Sequence, residues 1–368
     1  MKIKSGYRLV MLLLLGTFTA CEQMDATFDE YVVPGGITYT GKASAPVVHV
    51  GRNRVKISWP RGTDPTVTKA RIFWNNYSDS VEVAIPPTGS TISTIIDDLP
   101  EQTYAFVIKT YDAQGNSSVP VELLTATYGE KFQERLLNRP LNSAIVNDQG
   151  QVTLAWGAAD ISGGAYATEV SYTGKDGTVQ LLRFPVSEAS STIPAVKAGT
   201  ALHYKTIYLP APLSIDTFAT STQEHSQFMF DKSTWSIASY STQHNTAAEN
   251  VVKNIIDGSA ATRWHTLSNA SAKYPHFVVV DMKADKMITG FEIFRMAGDV
   301  RACDRFQLLV SNDNKAWLDL GSFDFDRMND GGQFYPIPDH PKARYFKFVG
   351  LSGPNGYMVM GEINVYGL

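Results

Sequence analysis

The residues best placed to do chemistry lie at 254–266, in the stretch NIIDGSAATRWHT. Asp257 supplies a carboxylate, Gly258 permits a turn at positive φ, and the small residues that follow let the backbone curl. A hard cation such as Ca2+ takes roughly six to eight oxygens from carboxylates, carbonyls and hydroxyls, and a tight loop that turns its carbonyls inward can supply several of them. Without a cation, Asp257-Gly258 is merely a turn. The stretch has too few apolar residues at helical spacing for a core helix, and Asp-Gly interrupts a strand. Elsewhere the chain holds no Gly-x-Ser-x-Gly, no His-Glu-x-x-His and no phosphate loop, and its seven His are scattered. Paired glycosidase carboxylates would lack a barrel or propeller-sized domain to host them. The expectation is therefore that the protein is not an enzyme.

The chain of 368 residues is long enough for two or three domains, each with its own core. Its net charge is −4; Lys2, Lys4 and Arg8 supply three positive charges in residues 1–20, so the remainder carries −7. A mildly acidic protein of this kind has no electrostatic footprint for nucleic acid. The opening, MKIKSGYRLVMLLLLGTFTAC, has a cationic start, an apolar run too short to span a bilayer and small residues before Cys21. Residues 1–20 thus read as a secretory signal. The end of that segment resembles a bacterial lipobox, which implies acylation of Cys21 and attachment to the membrane through the N-terminal lipid alone. The competing use of Cys21 is a disulfide with Cys303, the only other cysteine. Residues 21–45 begin polar and acidic, as a tether requires, and resemble the export signals of Bacteroidetes surface lipoproteins. The expected location is the outer membrane, on the cell surface.

Beyond the tether the chain reads as all-β, with short runs of Val, Ile, Thr, Tyr and Phe between Gly, Pro, Asn and Asp. An internal repeat organises the first half. VKISW and VTLAW place Trp59 and Trp156 97 residues apart; Tyr104 and Tyr204 are 100 apart. A unit of about a hundred residues with seven short strands suggests a small β-sandwich. Trp59-Pro60, Leu99-Pro-Glu-Gln-Thr-Tyr104 and Asp112-Ala-Gln-Gly-Asn116 resemble a fibronectin type III domain, with Leu99 as the core Leu and Tyr104 as the corner Tyr. The second copy keeps Val196 and Tyr204. Residues 24–215 also resemble an uncharacterised domain of Bacteroidetes surface lipoproteins. The expected organisation is unit 1 at 46–128, a linker at 129–145, unit 2 at 146–222 and a linker at 223–230, with the two units serving as spacers.

From 231 to 368 the pattern changes. Ile-Asp-Gly-x-x-x-Thr-Arg-Trp264, Val-Val-Asp-Met, Val-Ser-Asn-Asp-Asn-Lys-x-Trp317, Ala-Arg-Tyr-Phe-Lys-Phe and Glu-Ile-Asn-Val-Tyr-Gly follow in order. They resemble the discoidin family, the coagulation factor 5/8 type C domain, which overlaps family 32 carbohydrate-binding modules. The implied fold is a galactose-binding-like jelly-roll β-sandwich. The resemblance also implies a structural Ca2+ held by the carbonyls of Asn254 and Ser259, the carboxylate of Asp257, the oxygens of Thr262, and Glu362 beside Gly361. Trp264 reads as core.

In sugar-binding members the ligand lies on the loops at the metal end. His265, Arg295, Asn355 and Tyr357 stand at matching places, with Tyr274, His276 and Arg301 as weaker choices. Arg and His fix hydroxyls and an aromatic face takes the apolar side of a pyranose. Each residue also has a bland reading: a solvated His, an Arg295 paired with Asp299, a Tyr357 packed under its loop. The loop TQHNTAAEN is polar and cannot insert into a bilayer. The leading expectation is a non-catalytic lipoprotein that captures polysaccharide, with outer-membrane glycan-uptake proteins as partners. The alternatives are an adhesion or scaffold protein binding other surface proteins, and an accessory part of a glycoside-degrading system with its own activity.

Overall fold

The structure, a computed structural model, describes residues 33–367. The signal segment and Cys21 lie outside the described residues. Two compact units divide the chain at Tyr128.

In the first unit, β1 (Val47–Val50), β2 (Val55–Pro60) and β5 (Thr91–Ile96) form one sheet, ordered β1-β2-β5. The facing sheet is β4-β3-β6-β7, built from β3 (Val67–Trp74), β4 (Asp79–Ala84), β6 (Thr103–Asp112) and β7 (Val121–Ala126). Strand alternation sorts the side chains: Val55, Ile57 and Trp59 are buried while Lys56 and Ser58 between them are partly exposed. On β6 the inward residues are Tyr104, Phe106 and Ile108. The Tyr104 hydroxyl donates to the carbonyl of Pro100 at 3.1 Å, which closes the corner before β6.

The second unit opens with a second sandwich. One layer is β12-β9-β8, from β8 (Leu141–Val146), β9 (Val152–Trp156) and β12 (Ser190–Ile193). The other is β11-β10-β13, from β10 (Ala165–Thr173), β11 (Val179–Pro185) and β13 (Leu202–Tyr208), with β14 (Phe218–Ala219) and β15 (Gln223–His225) both along β13. Trp156 is buried, meets Tyr204 edge-on at 5.5 Å and donates from Nε1 to Ser191 Oγ at 3.1 Å. The repeat therefore carries its full strand set.

Neither expected linker is free chain. Within 129–145, the short helix α1 (Glu130–Gln133) and the residues after it are pinned to the second sandwich, and β8 already begins at Leu141. Tyr208 donates its hydroxyl to the Leu137 carbonyl at 2.6 Å, and the buried Arg139 donates to the carbonyls of Gly157 and Glu188, each at 2.8 Å. Within 223–230, β16 (Phe228–Phe230) runs parallel to β8 on one side and antiparallel to β25 (Glu362–Gly367) on the other. The β12-β9-β8 layer thus continues through β16 into the last domain, and Lys286 pairs with Asp148 at 2.5 Å across the junction. A backbone ladder buried at such a seam fixes the two sandwiches as one body.

The last domain is a sandwich around one long strand, β19 (His276–Phe294), which serves both layers. Its first half pairs β17 (Ser236–Tyr240) and β23 (Lys342–Ser352), and β20 (Arg305–Ser311) and β21 (Leu318–Asp324) extend that layer. Its second half pairs β25 and β22 (Gln333–Pro336). Register breaks between Asp281 and Lys286, where Lys283 takes a positive φ of 69°, let the strand turn the corner. Trp264, Phe291, Phe306, Phe346 and Phe348 fill the space between the layers and are fully buried.

At that corner Asp281 accepts from Arg344 Nε and Nη2 at 2.8 and 2.9 Å and from the Lys283 backbone N–H at 2.8 Å. The Arg344 guanidinium, first among these donors, holds the Asp281 carboxyl down at about 2. A depressed carboxyl stabilises the fold above its unfolded value near 4, and the contribution disappears as pH falls toward 2. Arg344 is 40% exposed, so solvent screens the pair. Asp281→Asn is expected to lower the melting temperature by about 2–4 °C at neutral pH and to leave it unchanged near pH 2, as measured by calorimetry across that range.

Candidate functional site

The loop between Asn254 and His265 is held at both ends. A 3₁₀ segment, Val252–Ile256, leads in with Ile255 and Ile256 buried. The Asn254 side chain donates from Nδ2 to the carbonyls of Ala248 at 2.7 Å and Arg263 at 3.0 Å, tying the entry of the loop to its exit. Gly258 has φ +89°, as the turn requires. At the exit, β18 (Trp264–His265) pairs antiparallel with β24 (Val359–Met360), and Trp264 Nε1 donates to the Thr242 carbonyl at 2.9 Å.

Four of the residues expected around a cation, Asp257, Ser259, Thr262 and Glu362, are joined by hydrogen bonds. Asp257 and Glu362 both accept from the Ser259 N–H, at Oδ1 and Oε2 respectively, each at 2.9 Å. Thr262 Oγ1 lies 2.7 Å from Asp257 Oδ2 and 2.8 Å from the Ser259 carbonyl. Gly361 lets the last strand approach the Arg295 carbonyl, since a Cβ there would lie 2.6 Å from that oxygen. Yet the donors are already engaged. Glu362 Oε2 also accepts the Gly258 N–H at 2.7 Å, and Oε1 is bonded to the ammonium of Lys232. Burial pushes the Glu362 carboxyl up to about 7, while the Lys232 ammonium and the two loop N–H groups favour the anion. Among the described residues no three His, Cys, Asp or Glu side chains gather as metal ligands would. A calcium cage resting on both Asp257 and Glu362 therefore does not fit, because the Glu362 carboxylate is spent on a lysine and on backbone.

A second cluster lies next along the chain. His265 is buried and stacks on Tyr357 with ring centroids 5.2 Å apart and planes 14° apart; the exposed His244 leans on it at 4.8 Å. His265 Nδ1 lies 2.7 Å from the Thr266 carbonyl. A carbonyl only accepts, so Nδ1 carries the proton, and in the neutral ring Nε2 is left as an acceptor. Burial holds His265 below the usual histidine range, against the Thr266 bond and helped by Arg301, His244 and Arg263, so neutral is its state near pH 7. Arg301 Nη1 lies 3.5 Å from Nε2. The rest of its guanidinium is clamped by Asp299, Nε to Oδ1 at 2.8 Å and Nη2 to Oδ2 at 2.5 Å. A bidentate clamp fixes the plane of an arginine and so aims its remaining N–H groups.

Tyr274 and His276 stand behind this cluster rather than in it. His276 Nε2 donates to the Gly356 carbonyl at 2.8 Å, and the Tyr274 hydroxyl reaches the Tyr357 carbonyl at 3.5 Å. Both brace the turn that carries the half-buried Asn355 and Tyr357. Arg295 points elsewhere. Buried, it donates to the Asn329 carbonyl at 3.0 Å and pairs with Asp330 at 2.6 Å. Its expected place in the sugar site is corrected accordingly. Sequence reasoning missed His244 and Asp299, and it missed Lys232 altogether. Asp299 had entered only as a partner for Arg295, and its two-residue spacing from Arg301 was the signal.

Residues 232–363 match the F5/8 type C domain. The last domain is similar to the C-terminal domain of a Bacteroides fragilis chitobiase, at 26% identity over 38% of this chain and 97% of that one, with a TM-score of 0.35. It is also similar to a Clostridium perfringens family 32 carbohydrate-binding module solved with galactose (17% identity, 38% and 98% covered, TM-score 0.35). A third similar structure is a C. perfringens module of the same kind solved with GalNAc-β-1,3-galactose (22%, 36% and 94% covered, TM-score 0.33). No curated protein matches the chain. Residues 21–218, more than half of the sequence, match DUF4998, a domain of unknown function, and the chain belongs to that family.

Proposed function

We propose that the last domain binds a glycan non-catalytically, and that the protein is a surface lipoprotein serving polysaccharide capture. The observation that carries the reading is the His265–Tyr357 stack set beside an Arg301 whose plane Asp299 fixes. A saccharide needs this pairing: an aromatic edge or face for its C–H groups, and oriented donors and acceptors for vicinal hydroxyls. Arg301 offers donors, and the neutral His265 offers an acceptor. Membership of the matched region in the F5/8 type C family supports the same assignment. The lipid anchor on Cys21 is supported by the apolar run and the small residues before it. The pairing of a three-stranded layer with a larger sheet in both sandwiches, four strands in the first and five in the second, supports the fibronectin type III-like reading of the first half.

Their role as spacers keeps one part of its logic: β16 joins the second sandwich to the binding domain without slack, so the site would be presented in a fixed pose. The test is binding of the full mature chain to a panel of immobilised glycans, with galactose- and N-acetylgalactosamine-terminated members beside glucans and acidic polymers. Retention on at least one class, competed by the free sugar, is the expected result. Failure on every class, together with capture of outer-membrane proteins, would favour the scaffold reading.

A further inference from the structure

We propose that the ammonium of Lys232, and no divalent cation, is the resident positive charge that locks the 257–262 loop to the last strand. Three observations meet there. Lys232 is 8% exposed and Glu362 3% exposed, so the pair is removed from water. All three ammonium donors have acceptors: Glu362 Oε1, Asn364 Oδ1 at 2.6 Å and the Ile363 carbonyl at 3.3 Å. The orientation of Asn364 is itself fixed, because its Nδ2 donates to Glu292 Oε2 at 3.0 Å, which leaves Oδ1 facing the lysine. A buried ammonium so fully coordinated occupies the electrostatic role of a metal ion without needing one.

On the far side of the same carboxylate, Oε2 takes the Gly258 and Ser259 N–H groups. Glu362 thus bridges an ammonium to a loop, and the loop stands without a metal. The other oxygens expected around an ion, from Asn254, Asp257, Ser259 and Thr262, bring a single carboxylate. Affinity for calcium follows the count of charged ligands, so that remnant binds it weakly. Lys232 also follows β16 by two residues, and its neighbour Asp231 donates its backbone N–H to the Val146 carbonyl at 2.9 Å. The lock therefore ties the loop to the seam between the two sandwiches. This inference does not depend on the glycan reading.

The experiment is calorimetric unfolding of the full chain. The wild type should melt at one temperature whether chelator or excess calcium is present. Lys232→Met keeps the aliphatic stem and removes only the charge, leaving Glu362 buried and alone. The second unit is expected to melt roughly 10 °C lower in that variant. Adding Glu362→Gln to Lys232→Met removes the stranded charge and should return most of the loss. A wild-type melting temperature that rises with calcium and falls with chelator overturns the proposal, as does a Lys232→Met chain that melts with the wild type. Should Lys232→Met fail to fold, the wild-type calcium series still decides the matter.

Discussion

Trp264→Ala is expected to be the most damaging single change in the last domain, lowering the melting temperature of the second unit by about 8–24 °C. Trp264 is fully buried among the largest side chains of that core. Truncating a buried Trp costs about 3–5 kcal/mol through lost transfer energy and the cavity left behind. The Thr242 carbonyl would lose the indole N–H as donor, which adds about 1 kcal/mol. Each kcal/mol moves a unit of this size by about 2–4 °C. The variant reaches the binding cluster as well, because β18 carries Trp264 and His265 together against β24, and His244 donates its backbone N–H to the His265 carbonyl at 2.8 Å. Trp264→Phe separates the two effects by keeping most of the volume and losing the hydrogen bond. Calorimetry of both variants checks the claim; a shift under about 2 °C for Trp264→Ala would show that the core closes over the gap.

How much of this fold is legible in the sequence depends on the kind of interaction. Alternation within strands is a local signal, and it led to the all-β reading that the sheets bear out; the burial of Trp264 was instead an expectation drawn from the family resemblance. The tyrosine corner was equally legible, since Leu99 and Tyr104 sit in one short segment. Pairing between distant segments was not. Residues 223–230 look like a linker because they are short and polar at their start, and nothing local shows that Phe228–Phe230 will fill the gap between β8 and β25. The 129–145 stretch misleads for a similar reason: Arg139 reads as a solvated charge until the carbonyls of Gly157 and Glu188 are seen to face it. Lys232 was invisible because its partners lie 130 and more positions away. The loop at 254–266 was legible as a turn built of oxygens, and the composition alone could not say which cation it faces.

In the proposed binding cluster the second large effect is expected. Tyr357→Ala should weaken glycan binding roughly tenfold to a hundredfold while leaving the melting temperature nearly unchanged, the range for an aromatic anchor at a small interface. Its position explains both halves of that outcome: Tyr357 is half-buried, so its ring packs on His265 and still meets solvent. Asp299→Asn tests the complementary element. It keeps the shape of the clamp and removes the charge that orients Arg301, so affinity should fall by a smaller factor and discrimination between sugars differing in one hydroxyl should narrow. The pH profile tells a ligand role from mere packing. His265 is held neutral by burial, so an acceptor role for Nε2 keeps binding constant through neutral pH and loses it only in acid below the ordinary histidine range. His265→Gln, which can also accept, should retain part of the affinity without that acid limb. Titration calorimetry from pH 4 to 8 checks the set, and an acid loss of equal size in His265→Gln would assign the proton to another group.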